Sequence, residues 1–150
     1  MTDSSEGPDK APYVLEDQVG HLLRRAHQRA SQVFQATIAD PGITPMQLAA
    51  LVRLHEHEAT GGLSQNHLGR LTAMDPATIQ GVIRRLMERG LIQRSADVVD
   101  RRRKTLRLTE AGCIAVLGLL DSATEVSRRT LEPLSPAEQR SFLRFLRRLA

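Results

Sequence analysis

Four consecutive basic residues, Arg101 to Lys104, form the densest charge cluster in this sequence of 150 residues. Between Ser64 and Arg107 there are ten Lys and Arg against four Asp and Glu, whereas the rest of the chain holds eleven basic and thirteen acidic residues. Because guanidinium and ammonium groups bind phosphate oxygens, such a local surplus of positive charge is typical of a polyanion site. A solvated basic face would show the same pattern, so charge alone does not separate the two interpretations.

The residue types that enzymatic chemistry needs do not occur at useful spacings. There is no glycine-rich phosphate loop, no pair of carboxylates placed to share a cleft and no Ser, His and Asp arrangement, so the sequence predicts neither an enzyme nor a cofactor. The run from His55 to Glu58 has metal-ligand residue types. Its two histidines are two positions apart and do not share a helix face, so we predict no metal site there.

The single cysteine, Cys113, excludes a disulfide framework within the chain and fits a reducing compartment. It opens an apolar run through Leu120, where thiols are normally inert, although a redox switch at Cys113 stays open as an alternative. That run is far shorter than the ~18 residues that a membrane span needs. Because no signal-peptide pattern is recognised either, we expect a cytoplasmic protein with no membrane partner.

The composition predicts one domain with an aliphatic core. Apolar residues make up 41% of the chain, but aromatic residues only 3%, with no Trp. Such a chain is a poor candidate for a single-strand binder built on stacked aromatic side chains. Residues 1–12 lack any periodicity and are predicted to be a disordered tail, which leaves a single domain over residues 13–150.

Apolar periodicity and helix caps predict a mainly α fold with one small β-hairpin. The predicted helices cover about residues 13–39, 44–57, 64–72, 76–89, 109–131 and 133–150. The fifth is apolar on most sides over residues 113–120 and is therefore expected to be buried. Two short strands, 91–95 and 105–108, close on the basic loop and predict a hairpin that projects from the body.

Two short helices joined by a tight turn, then a hairpin with a basic tip, form the pattern of a winged helix-turn-helix over residues 44–108. Its second short helix, 76–89, suits the major groove of duplex DNA. The outward residues of that helix are small or hydrogen-bonding: Ala77, Thr78, Gln80, Gly81, Arg84 and Arg85. Gln80 is suited to adenine, and an arginine to guanine or a phosphate.

The predicted DNA-binding set also includes residues of the bracing helix and of the wing. Ser64 and Gln65 lie at the start of the bracing helix, and Arg101, Arg102 and Arg103 would reach a flanking minor groove or phosphates. Asp100 is interpreted as an orienting partner of these arginines, because a carboxylate that faced phosphate would repel it.

Three segments of the sequence resemble the MarR family of bacterial transcriptional regulators. They are the run 62–71, the run 81–92, and Asp100-Arg-Arg followed by Leu108-Thr-Glu-Ala-Gly112, and the resemblance covers about residues 14–149. It implies a homodimer on a pseudo-palindromic operator, with repression relieved by a small ligand, often an aromatic acid or a phenol. The wing departs from the family pattern, because Val98-Val99 precede the aspartate and a third arginine extends the basic run.

The apolar stripes of the first and last helices independently favour a homodimer. They exceed what one small winged domain can cover, and they would form a large exposed patch on a monomer. We therefore predict dimerisation through residues 13–39 and 133–150, with the helix 109–131 connecting this part to the winged domain. The resemblance implies the same arrangement.

Four residues are candidate ligand-binding residues: His21, Arg25, His27 and His55. The family resemblance implies a pocket between the dimer helices and the winged domain, where cationic donors would bind a carboxylate. The run Gly20 to Arg29 is also similar to regulators of aromatic-acid breakdown, including those with nicotinate-type ligands. A core role for His27 and a solvated face of arginines stay open, as do a ligand-independent regulator and a helical protein-interaction module with a basic hairpin.

Overall fold

Six α-helices and one antiparallel hairpin make up residues 11–150, the part of the chain that the computed structural model describes. The elements are α1 Val19–Thr37, α2 Pro45–Glu56, α3 Gln65–Leu71, α4 Pro76–Glu88, β1 Ile92–Ala96, β2 Lys104–Leu108, α5 Glu110–Thr130 and α6 Pro136–Leu149. The predicted winged helix-turn-helix is confirmed in element type and order. The tail predicted for residues 1–12 lies almost entirely outside the described residues.

Side-chain caps begin five of the helices at the predicted places. Thr44 and Ser135 each form a reciprocal capping box, with Gln47 and Glu138 respectively, and Pro occupies the first turn of both helices. The side chains of Ser64, Asp75 and Thr109 each accept a backbone N–H at the start of α3, α4 and α5. These bonds satisfy amide groups that a helix leaves unpaired, so the helix starts are determined locally.

The first helix starts later than its apolar periodicity predicts. Residues Leu15–Asp17 form a short 3-10 turn, and α1 begins only at Val19. Gln18 takes an extended backbone conformation, and its side-chain amide donates to the carbonyl of Val14 (2.7 Å). The helical hydrogen-bond ladder is therefore interrupted at this residue.

The core is aliphatic, as the composition predicts. Its largest fully buried side chains are Leu51, Leu54, Leu68, Ile79, Ile83, Leu86, Leu106 and Val116. They come from α2, α3, α4, β2 and α5, so the winged domain and the first half of α5 share one core. This shared core ties the recognition elements to the long fifth helix.

The prediction that the apolar run of α5 is buried is wrong for two of its residues. Ile114 is 67% and Leu117 is 56% exposed, although Val116 between them is fully buried. α5 packs mainly on α1, α2 and β2, and the side that carries Ile114 and Leu117 stays largely exposed among residues 11–150. Like every other helix in this range, α5 is not long and apolar enough to cross a membrane.

The first and last helices also leave their apolar stripes exposed. Phe34 is the only buried residue of α1, and no residue of α6 is buried. Leu22, Leu23, Phe145 and Leu149 are between 41% and 72% exposed. The described chain thus presents exposed apolar side chains on both of these helices.

Candidate nucleic-acid interface and adjoining cleft

The N-terminus of α4 is held by Asp75. One oxygen of this carboxylate accepts the backbone N–H of Thr78 and the other accepts the Thr78 hydroxyl, both at 2.8 Å. These hydrogen bonds lower the pKa of Asp75. The hydroxyl of Thr78, which the sequence predicts to face DNA, therefore donates to the helix cap.

The outward side of α4 borders a wide cleft. It has a volume of about 640 Å³, and its lining includes Ala77, Gln80, Gly81 and Arg84 of the predicted DNA-binding set. Arg94 of β1 lies in the same cleft, with its guanidinium 3.5 Å from the side-chain oxygen of Gln65. Sequence reasoning missed Arg94, although its position in a strand beside the recognition helix was a usable signal.

The C-terminus of α4 is anchored to the loop that follows α1. Arg89 caps the helix, and its guanidinium lies 2.6 Å from a carboxylate oxygen of Asp40, whose other oxygen accepts the backbone N–H of Gly42. The hydrogen bond from Arg89 lowers the pKa of Asp40. Both side chains are about one-third exposed, so screening by solvent makes this pair worth little stability, but it defines where the helix ends.

The wing tip is a turn held by two aspartates. Asp97 accepts the backbone N–H groups of Val99 and Asp100, which lowers the pKa of its carboxyl. Asp100 in turn accepts the backbone N–H of Arg102 at 3.0 Å, and the Arg102 side chain is 96% exposed. The Asp100 carboxylate also lies 3.7 Å from Nε of Arg102. The orienting role predicted for Asp100 therefore has a geometric basis, while the Arg102 side chain stays almost fully exposed.

A second cleft, of about 580 Å³ and lined mainly by polar groups, separates α3 from the wing. Ser64 and Arg103, both predicted for DNA, line it, although the hydroxyl of Ser64 also caps α3. Lys104 of the predicted basic tip also lines it, whereas the sequence interpretation did not include the other polar lining residues: Asn66, His67, Arg70, Asp97 and Thr105. Basic side chains from two elements meet here, as a phosphate-binding surface requires.

The inner side of α4 borders a different kind of cleft. It has a volume of about 450 Å³ and lies between α4 and the helices α1 and α2. Its mainly apolar lining includes Met46 and Val82, with His27, Gln47 and Arg85 as larger polar side chains. Arg85 and Thr78, which the sequence predicts to bind DNA, line this inner cleft and not the outer one, whereas Ala77 and Gly81 line both.

The structure brings one of the four predicted ligand residues to this inner cleft. His27 lines it, and it also lines an apolar groove of about 580 Å³ between α1, α5 and α6. His21 and Arg25 lie elsewhere on α1, and His21 is 3.4 Å from the Arg24 guanidinium. His55 is half-buried on α2 and does not belong to the lining of the inner cleft.

Comparisons with known proteins give one consistent result. A model of the MarR family matches residues 42–103. The repressor NicR of Pseudomonas putida is 38% identical over 99% of this chain and 92% of its own length. The structure of a probable transcriptional regulator from Pseudomonas aeruginosa is 50% identical, with a TM-score of 0.85 over 91% of this chain and all of that one.

A third relative connects this fold with a small molecule. BpsR of Bordetella bronchiseptica, whose DNA binding is regulated by 6-hydroxynicotinic acid, is 38% identical, with a TM-score of 0.84 over 93% of this chain and 97% of that one. These identities extend over nearly the whole of both chains, well beyond the winged domain. The chain belongs to the MarR family of transcriptional regulators.

Proposed function

We propose that this regulator represses transcription as a homodimer on a pseudo-palindromic operator, and that a small aromatic acid releases it from the DNA. The observation that carries the proposal is the position of α4 between two unlike clefts. Its outer side carries Gln80 and Arg84 and shares a cleft with Arg94 of β1, while the cleft on its inner side is mainly apolar. A ligand on the inner side would therefore act on the helix that contacts DNA.

The outer surface has the chemistry of a duplex-binding site. Gln80 and Arg84 face outward from α4, and Arg70, Arg103 and Lys104 flank them from α3 and the wing. An α-helix fits the major groove, and arginines on a hairpin fit an adjacent minor groove or phosphates. In a two-fold dimer the two recognition helices would lie about 34–36 Å apart, one turn of DNA.

The exposed apolar stripes of α1 and α6 support the homodimer. Monomeric proteins rarely expose contiguous apolar patches of more than a few hundred Å². Leu22 and Leu23 of α1 and Phe145 and Leu149 of α6 are all at least 41% exposed. A second copy of the chain would cover them with an equivalent surface. We propose residues 13–39 and 133–150 as this interface.

The inner cleft has the size and lining for an aromatic acid. Its volume of about 450 Å³ falls within the range of ~300–1,000 Å³ that is usual for small-molecule sites. Its apolar walls suit an aromatic ring, and the Arg85 guanidinium suits a carboxylate. The regulation of BpsR by 6-hydroxynicotinic acid supports this ligand class. Bound here, such a ligand would favour a position of α4 that no longer fits the groove.

DNA binding should weaken by orders of magnitude between about 50 and 200 mM salt, because bound arginines displace counterions from phosphates. Arg102→Ala should lower the affinity for every duplex and reduce the salt slope by about 1. Gln80→Ala should instead reduce discrimination at a single base position by about 1–3 kcal/mol. Fluorescence anisotropy with single-base variants of a selected duplex measures both effects.

The matched control for Arg102 is Arg128→Ala, which removes the same charge from α5 at a side chain paired with Glu125. This variant should bind duplex DNA like the wild type. If Arg102→Ala and Gln80→Ala both bind the selected duplex normally, the assignment of α4 and the wing to DNA is wrong.

The ligand site is tested by thermal shift with aromatic carboxylates and phenols, including 6-hydroxynicotinic acid. A ligand at ~100 times its dissociation constant should add about 2.7 kcal/mol to the free energy of unfolding. Arg85→Gln should abolish this gain for carboxylates, because the guanidinium is removed, whereas Arg53→Gln on the exposed side of α2 should preserve it. No response across both compound classes would instead favour a ligand-independent regulator or redox control through Cys113.

A further inference from the structure

The wing is fastened to the segment between α2 and α3, residues 57–64, which we term the connector. Leu63 and Leu106 exchange two backbone hydrogen bonds of 3.1 and 2.7 Å, so the connector pairs with β2 like a short third strand. Gly61 lies close to Val98 near the wing tip, and a Cβ atom on Gly62 would overlap the carbonyl oxygen of Leu106. The two glycines thus allow the connector to lie directly against the wing.

An ion pair joins the same two elements. The guanidinium of Arg107, the next-to-last residue of β2, contacts one carboxylate oxygen of Glu58 through Nη2 at 2.6 Å and through Nε at 3.1 Å. It also donates to the Glu58 backbone carbonyl at 3.4 Å. Both side chains are only about one-third exposed, and they are 49 residues apart in the sequence. The pair therefore restrains the wing relative to the helix-turn-helix.

The pair is not arranged for maximum stability. The second carboxylate oxygen of Glu58, Oε2, is buried and has no hydrogen-bond partner among residues 11–150. A buried, unpaired acceptor opposes folding, and solvent screens a pair that is about one-third exposed, so this ion pair is weak support for a stabilising role. The ion pair therefore serves mainly to restrain the position of the wing.

We propose that Glu58 and Arg107 are positioning residues that set the angle of the wing, so that Arg101 to Lys104 reach the DNA backbone while α4 lies in the major groove. The inference rests on the DNA-binding function proposed above. Neither residue needs to touch DNA for this role. Glu58 acts through Arg107, and Arg107 acts through the strand that carries the basic tip.

The direction of the change in DNA affinity distinguishes a positioning role of Glu58 from a simple electrostatic one. Glu58→Gln removes a negative charge near a DNA-binding surface, and charge alone would raise the affinity for a polyanion. A freed Arg107 would add to that gain. A loss of affinity in a folded variant therefore indicates a displaced or more mobile wing.

The test measures binding to a 30-base-pair duplex that the wild-type protein selects from a random library. We expect Glu58→Gln to lower the affinity about fivefold to tenfold and to reduce the salt slope by about 1 for each phosphate that the wing no longer reaches. Hydroxyl-radical footprints should lose protection where the wing lies but keep it where α4 lies. Glu56→Gln breaks the exposed pair with Arg53 on α2 and serves as the matched control, with unchanged or slightly higher affinity.

A double-mutant cycle makes the test decisive. If Glu58 acts through the wing, Glu58→Gln should have a smaller effect in an Arg102→Ala background than in the wild type, because one of the contacts that it displaces is already absent, whereas independent effects multiply. Arg107→Lys keeps the charge but cannot form both hydrogen bonds, so it should reproduce the footprint change and guards against a folding defect of Glu58→Gln. Unchanged or increased affinity of both variants, or multiplying effects, would overturn the inference. Absence of duplex binding by the wild type would overturn the proposed function itself.

Discussion

Gly112→Ala is expected to lower the free energy of unfolding by about 3 kcal/mol or more, since overpacking against rigid backbone has no cheap relief. Gly112 lies in the first turn of α5, and a Cβ atom there would overlap the backbone carbonyl oxygen of Leu91. Leu91 is the residue just before β1, and its carbonyl accepts the backbone N–H of Thr109 at 3.0 Å. The substitution must therefore push the start of the wing away from α5.

The control for this prediction lies on the same helix. Gly118 has no atom within 4 Å of the position that a Cβ would take, so Gly118→Ala should stabilise α5 by roughly 0.5–1 kcal/mol. Urea unfolding of both variants at one protein concentration measures the difference, because an oligomer's stability depends on concentration. Equal free energies of unfolding for the two variants would contradict the close packing of Leu91 on α5.

Phe145→Glu is expected to convert the protein to a monomer and to reduce operator affinity more than about 100-fold, because the second half-site would be bound independently. Phe145 is 50% exposed on α6, so the change removes little from the fold of a single chain. In the proposed dimer the new carboxylate would have to be buried in an apolar interface, which is unfavourable even with the Arg144 guanidinium nearby. Analytical ultracentrifugation and anisotropy measure the two consequences.

Ala137→Glu provides the comparison on the same helix. Ala137 is exposed in the first turn of α6, on the side opposite the apolar stripe, so a carboxylate there should leave both the dimer and its affinity intact. If Phe145→Glu stays dimeric with normal DNA affinity, α6 is not part of the interface. The dimer would then have to use another exposed apolar face, such as Ile114 and Leu117 on α5.

Local signals in the sequence were sufficient to predict the helices and strands of this fold. Caps at Thr44, Ser64, Asp75, Thr109 and Ser135 involve residues only three positions apart, so their type and spacing predict the helix starts directly. The basic run and the alternation in β2 likewise predict the wing. The family resemblance rests on such local segments too, and the comparisons confirm it.

Local sequence signals did not predict which apolar helix faces are buried within a single chain. The apolar residues of α5 predict a buried helix, yet Ile114 and Leu117 are exposed because one chain supplies neighbours for one face only. Periodicity shows that a face is apolar and does not show what covers it. The same reason leaves the stripes of α1 and α6 exposed within a single chain.

In the proposed function one side of α4 faces DNA and another faces the ligand. Which residues lie on each side depends on how distant segments pack and could not be predicted from local sequence. Arg84 and Arg85 are adjacent and equally basic in the sequence, but α4 packs on α2 and faces α1 across the inner cleft, so Arg85 lines the inner cleft and Arg84 the outer one. Arg94 of the outer cleft, and the ion pairs Asp40–Arg89 and Glu58–Arg107, have the same origin, each pair being 49 residues apart. Backbone capping depends on a few neighbouring residues, whereas the meeting of such side chains depends on how the whole core packs.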